Sequence, residues 1–225
     1  LKERSIIQYR GFKSSYALSL GSDIDLDAEL AKLRTNMTLG DIDLNLINSV
    51  HSIPVMAKRH YHERGTQRYF NIKIVTRSQL ESQKLETLSD SYDGMFLLVL
   101  NDMDGINSNL SPSKIVSLLD NKLERRPIWV ASSAETKRIF DQALEVAAIH
   151  RLNTELVELQ TDRVARRRLA TLQQESEREL FARVDTIVDD VKWELFAGGD
   201  NIEGTENSSD TLSSLASYAS DFAYN

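Results

Sequence analysis

The chain has 225 residues, no cysteine, three prolines and a formal charge of −7 from 27 basic and 34 acidic side chains. With 41% hydrophobic and 27% charged residues, the composition is that of a globular protein rather than a disordered or fibrous one, and the length suits one large domain or two small ones. No apolar run approaches the ~20 residues that cross a bilayer, no signal-peptide pattern is read at the start, and the lack of cysteine excludes a disulfide scaffold, a thiol nucleophile and a cysteine-ligated zinc site, which makes the cytoplasm the expected location.

The charge is not spread evenly. Residues 1–188 hold 26 basic and 26 acidic side chains, whereas the last 37 residues hold eight acids against the single Lys192. The chain begins at Leu1 rather than Met and reads as a segment of a longer protein.

In chain order, residues 5–12 are short and strand-capable. Ser22-Asp-Ile-Asp-Leu26 and Gly40-Asp-Ile-Asp-Leu44 then start two similar segments, each followed by apolar residues at helical spacing. Acidic residues in a first turn complement the positive end of a helix dipole, and Ser22 is a suitable N-cap. Pro54 breaks the second helix, and residues 69–75 alternate as a half-buried strand does. Met95 to Leu100 is a continuous apolar run, as in a strand buried on both faces. Ser111 with Pro112 marks a helix start, and residues 127–131 form the next strand. A strand, a helix and a strand in this order predict a right-handed βαβ unit with parallel strands.

From Ala134 to about Phe196 there is neither glycine nor proline. Two apolar stripes run through this stretch with Thr161-Asp162 as a cap between them, so two helices are predicted, as an antiparallel pair or one bent rod. The tail after Gly198 is rich in Gly, Ser, Asn and Asp and poor in large apolar groups, a composition of mobile chain. Leu212, Leu215, Ala216, Ala219 and Phe222 then recur at helical spacing. The expected fold is therefore α/β, with a small, mostly parallel sheet, a βαβ unit and a long C-terminal helical arm or hairpin. Its expected parts are a mixed α/β region (1–93), the βαβ part of the same domain (94–133), the helical arm (134–196), and an acidic flexible tail with a short helix (197–225).

Several patterns suggest chemistry. Asp23 and Asp25 resemble the paired metal-binding aspartates of polymerase-β-like nucleotidyltransferases, whereas acidic caps on two short helices explain both Asp-Ile-Asp-Leu copies at once. His60, His62 and Glu63 suggest metal ligands, but Lys58, Arg59, Arg64 and Arg68 crowd around them and disfavour a cation. The run before Asn101-Asp102 is like a Walker B strand, and Asp104-Gly105 extends it toward a calcium-loop string. No GxxxxGK[ST] occurs to cradle a triphosphate. Two basic patches remain. Lys58, Arg59, His60, Arg64, Arg68 and Tyr69 mix cations with aromatics, which neutralise phosphates and stack bases. Arg163, Arg166 and Arg167 share a helix face, either as a contact surface or paired with Glu155, Glu158 and Asp162.

Three phrases, Tyr9-Arg10-Gly11-Phe12 through Leu26, Ala57-Lys58-Arg59-His60 through Gly65-Thr66-Gln67-Arg68-Tyr69-Phe70, and Asp162 to Arg167, resemble in order and spacing the middle region of large bacterial P-loop ATPases of phage-defence and restriction islands, including proteins similar to the BREX-type ATPases. In such proteins the ATPase core lies N-terminal to this region. The resemblance implies a non-catalytic segment that holds no cofactor, ATP and Mg²⁺ belonging to the parent protein. It implies a role in linking the motor to DNA or to partner subunits, with homo-oligomerisation through the helical arm as a further expectation. Arg59, His60, Gly65, Thr66 and Arg68 are the expected contact surface or packed turn. A metal-dependent nucleotidyltransferase using Asp23 and Asp25 is the alternative.

Overall fold

In the computed structural model, residues 94–100 form β5 (Gly94–Leu100), and every one of them is buried. A strand with no polar alternation fits only the centre of a sheet covered on both faces. The structure describes residues 7–10, 15–18, 24–50, 52–81, 92–101, 110–119, 126–133, 136–198, 200–202 and 211–224. The chain divides into two compact units, Leu1–Asp43 with Arg138–Ala182, and Leu44–Lys137 with Arg183–Asn225.

The second unit is built on a six-stranded sheet in the order β3-β4-β5-β6-β7-β8. Its strands are β3 (Val55–Met56), β4 (Tyr69–Thr76), β5, β6 (Ile128–Ser133), β7 (Glu194–Ala197) and β8 (Asp200–Asn201). Helix α4 (Arg77–Glu81) follows β4, and α5 (Pro112–Leu118) joins β5 to β6. The β5-α5-β6 unit has parallel strands in register from Met95↔Ile128 to Leu100↔Ser133, as the sequence predicts. The sheet is mixed and not purely parallel: β4-β5 and β5-β6 are parallel, while β3-β4, β6-β7 and β7-β8 are antiparallel.

One face of the sheet, with Val75, Met95, Leu97, Val99, Ile128, Val130 and Phe196, packs on Leu80 of α4 and Ile115 and Leu119 at α5. On the other face Phe96 lies parallel to Trp129 at 6.3 Å and edge-on to Trp193 at 5.3 Å. Gly94 is obligatory there, since a Cβ would stand 2.2 Å from the Phe70 ring and 2.8 Å from the Pro127 carbonyl. Helix α2 (Leu44–Ser49) joins the sheet through Asn48, whose side-chain amide exchanges both hydrogen bonds with the Ile74 backbone at 2.8 and 2.9 Å. Helices α3 (Lys58–Arg64) and α8 (Leu212–Ala223) also belong to this unit.

The first unit contains the antiparallel β1 (Ile7–Arg10) and β2 (Ser15–Leu18), the helix α1 (Leu26–Asn36), and most of α6 (Thr136–Glu155) and α7 (Arg163–Asp190). Within it α6 and α7 run antiparallel: Gln142 reaches the Ser176 carbonyl, and His150 reaches Gln173 and Glu177. Of the two sequence readings the hairpin is the one formed. Leu26, Ile149, Leu152, Leu159, Ala165 and Leu169 make its core. The apolar pattern that continues past Val188 to Leu195 does not extend the helix; α7 ends at Asp190, and residues 194–197 pair with β6 instead. No helix among the described residues is long and apolar enough to cross a membrane.

Candidate functional site

Helix α3 carries the first basic patch and has no N-cap side chain of its own, since Ala57 occupies the cap position. The orphan amides of a helix start need acceptors, and α8 supplies them. The Lys58 N–H donates to Ser213 Oγ at 3.4 Å and the Arg59 N–H donates to Ser217 Oγ at 3.2 Å. One turn on, the Asp221 carboxylate accepts from Arg59 Nη2 at 2.8 Å and bonds His60 Nδ1 at 2.6 Å. Ser213, Ser217 and Asp221 are spaced four residues apart, which places them on one helix face. His60 is 3% exposed, whereas Asp221 and Arg59 reach the surface.

Burial pushes the Asp221 carboxyl up, but the hydrogen bonds and charges of His60 and Arg59 outweigh it and hold the group below the usual carboxylate range. Ser213 Oγ also donates to the Met56 carbonyl, and Trp129 Nε1 donates to the Leu215 carbonyl at 3.1 Å. Helix α8 is thus hydrogen-bonded to β3, α3 and β6.

Helix α3 ends at Gly65, whose φ of +72° is left-handed and whose N–H donates to the Tyr61 carbonyl. This is the glycine C-cap geometry that a side chain rarely adopts. Thr66 is exposed. Arg68 Nη1 meets Asp93 Oδ1 at 2.6 Å, and the Tyr69 N–H donates to the other carboxylate oxygen at 2.8 Å. The guanidinium also lies 4.1 Å from the centre of the Tyr224 ring, within cation–π range. The Tyr224 hydroxyl donates to the Asp93 carbonyl at 2.6 Å, and burial, followed by the Asp93 charge, raises its pKa. Of the first patch only Lys58 and Arg64 are exposed without an ion-pair partner among the described residues.

The second patch is the reverse case. Asp162 caps α7, its Oδ1 accepting from the Val164 and Ala165 amides at 2.8 and 2.9 Å. Arg163, Arg166 and Arg167 are exposed and have no ion-pair partner among the described residues. The neighbouring Arg168 is different: its Nη2 pairs with Asp27 at 2.8 Å. Glu155 is engaged by Arg151 instead of the patch.

Asp25 is the N-cap of α1, its Oδ1 accepting from the Ala28 amide at 3.1 Å. Asp41 accepts from the Thr38 amide and hydroxyl, which lower its pKa. Asp23 lies outside the described residues, as do Gly11, Phe12, Asp102, Asp104 and Gly105. Among the described residues no three His, Asp or Glu side chains converge as a metal site would require.

Sequence reasoning missed Asp93, Ser213, Ser217, Asp221 and Tyr224. The Ser-x-x-x-Ser-x-x-x-Asp spacing was the signal in the tail, but its partners lie more than 150 positions away. No family model matches the chain, and no curated protein or solved structure matches it significantly.

Proposed function

We propose that this chain is a non-catalytic segment of a large, cytoplasmic, defence-associated P-loop ATPase, and that it links the motor to DNA or to partner subunits. The observation that carries the reading is the use made of the Ala57–Phe70 phrase. Its Arg59 and His60 side chains bind Asp221 of helix α8, and Arg68 pairs with Asp93 and lies over the ring of Tyr224 at the end of α8. Those are the bonds of a structural joint, holding two elements in fixed register. A group meant for proton transfer or metal binding keeps an open position for substrate. The arginines of α7 add an outward-facing cationic surface to the same chain.

The test is the reading frame around these residues together with a transfer assay. The expected result is a GxxxxGK[ST] loop encoded upstream, and no labelled product when the chain is incubated with Mg²⁺ and labelled nucleoside triphosphates. A closed frame without that loop overturns the ATPase assignment. Label transferred to an acceptor, and lost in Asp25→Ala, overturns the non-catalytic one.

A further inference from the structure

Arg163, Arg166 and Arg167 are the start of a longer arrangement. Taking about 100° per residue, Ala170, Gln174 and Arg178 follow on the same face of α7, and all six are exposed. The four arginines carry no ion-pair partner among the described residues. At about 1.5 Å per residue they span roughly 22 Å of a straight helix.

None of the carboxylates among the described residues, Glu158 included, forms an ion pair with these arginines. Asp162 is occupied by two α7 amides. Glu177 accepts from Gln173 and pairs with His150. Glu175 and Glu179 stand about 120° and 160° around the helix from Arg163.

Three guanidinium groups within one turn repel one another, and at a helix start they also oppose the dipole. An external anion relieves both. The Val164 and Ala165 amides of that helix end are already taken by Asp162, so the side chains would carry most of the hold.

We infer that this face of α7 binds the sugar–phosphate backbone of double-stranded DNA without reading its sequence. The inference rests on the linking role proposed above and names its ligand. A protein partner needs an apolar or aromatic centre to its interface, and a single strand needs aromatic platforms for its bases. Beyond the half-buried Phe181 at its far end this face carries neither: the exposed large apolar side chains among the described residues are Ile53, Val157, Tyr218, Phe222 and Tyr224, and none belongs to α7. Arginines with no ion-pair partner among the described residues, three within one turn and a fourth about 16 Å further along α7, suit contacts to backbone phosphates.

The experiment is fluorescence anisotropy of a labelled mixed-sequence duplex with the full 225-residue chain at increasing salt. The expected log–log salt slope is about −3 to −4, as for four phosphate contacts. Replacing Arg163, Arg166 and Arg167 together with alanine should weaken binding at least about tenfold at low salt and flatten the slope by about 3. The triple lysine variant should retain most of both. An unchanged slope in the alanine variant overturns the inference, while leaving a DNA-linking role to be carried by other residues such as Lys58 and Arg64. Failure of the parent chain to bind duplex at low salt overturns it and leaves only partner subunits for the link. Displacement of the duplex by poly-glutamate at lower concentration than by unlabelled duplex overturns it in favour of an acidic protein partner.

Discussion

Two arginine-rich surfaces, one on α3 and β4 in the second unit and one on α7 in the first, read alike in the sequence and are used in opposite ways. At the first, Arg59 and His60 share Asp221 while Arg68 is held by Asp93 and the Tyr224 ring. At the second, Asp162 serves as a helix cap and Glu155 is engaged by Arg151, and the arginines have no ion-pair partner among the described residues. Whether a cation is structural or available depends on where carboxylates from distant parts of the chain arrive. For Arg59 and Asp221 that separation is 162 residues. The comparison makes a clean division: changes at the first surface should move stability and leave binding alone, and changes at the second should do the reverse.

The largest effect is expected from Asp221→Ala, which strands the buried His60 and removes the carboxylate bonds between α8 and α3. Removing one partner of a buried polar pair costs about 2 kcal/mol. Both tryptophans, Trp129 and Trp193, lie in the second unit, so denaturation followed by tryptophan fluorescence reads that unit. The midpoint should fall while duplex affinity stays unchanged. A loss below about 0.5 kcal/mol, the range of ordinary surface changes, would break the comparison at its stronger side.

Gly65→Ala comes next, at about 1 kcal/mol. A Cβ there meets nothing within 4 Å, but φ is +72°, so the cost is purely that of the backbone conformation. An unchanged midpoint in the same assay would show that α3 does not depend on its left-handed cap.

Much of the scaffold behind these surfaces is legible in the sequence. The strands β4, β5 and β6 and the α6–α7 hairpin announce themselves through apolar runs and periods that packing reinforces. Residues 194–197 are not legible: Leu195 continues the helical apolar spacing of Val184, Ile187 and Val191, and only pairing with Trp129 and its neighbours turns it into strand. The candidate surfaces are legible as clusters but not as roles. Their residues stand close together in sequence, whereas Asp93 and Asp221, which settle what Arg68 and Arg59 do, are placed by tertiary packing. Asp25 is the instructive middle case. A metal ligand and a helix cap look the same in a row of letters, and the observed bond to the Ala28 amide assigns it the cap.

A smaller effect sharpens the first side through pH. Because the Asp221 pKa is lowered in the fold by its partners, its contribution is complete above the ordinary carboxylate value of about 3.9. It is lost as pH falls through the still lower folded value. The stability gap between the parent chain and Asp221→Ala should therefore persist to about pH 4 and narrow below it. The effect is smaller than truncation because a protonated carboxyl still forms hydrogen bonds. A gap that stays constant down to about pH 3 would show that the charge of Asp221 contributes nothing to it.

The smallest expected effect is the most discriminating. The triple alanine variant at Arg163, Arg166 and Arg167 removes side chains that are exposed and without ion-pair partners among the described residues. It also relieves cation–dipole opposition at the start of α7, and alanine favours the helix. Thermal unfolding followed by helical circular dichroism should shift by no more than the equivalent of about 0.5 kcal/mol, and upward if at all. A clear downward shift would mean that these arginines hold the fold together as Arg59 and Arg68 do. The two surfaces would then differ in their partners and not in their purpose.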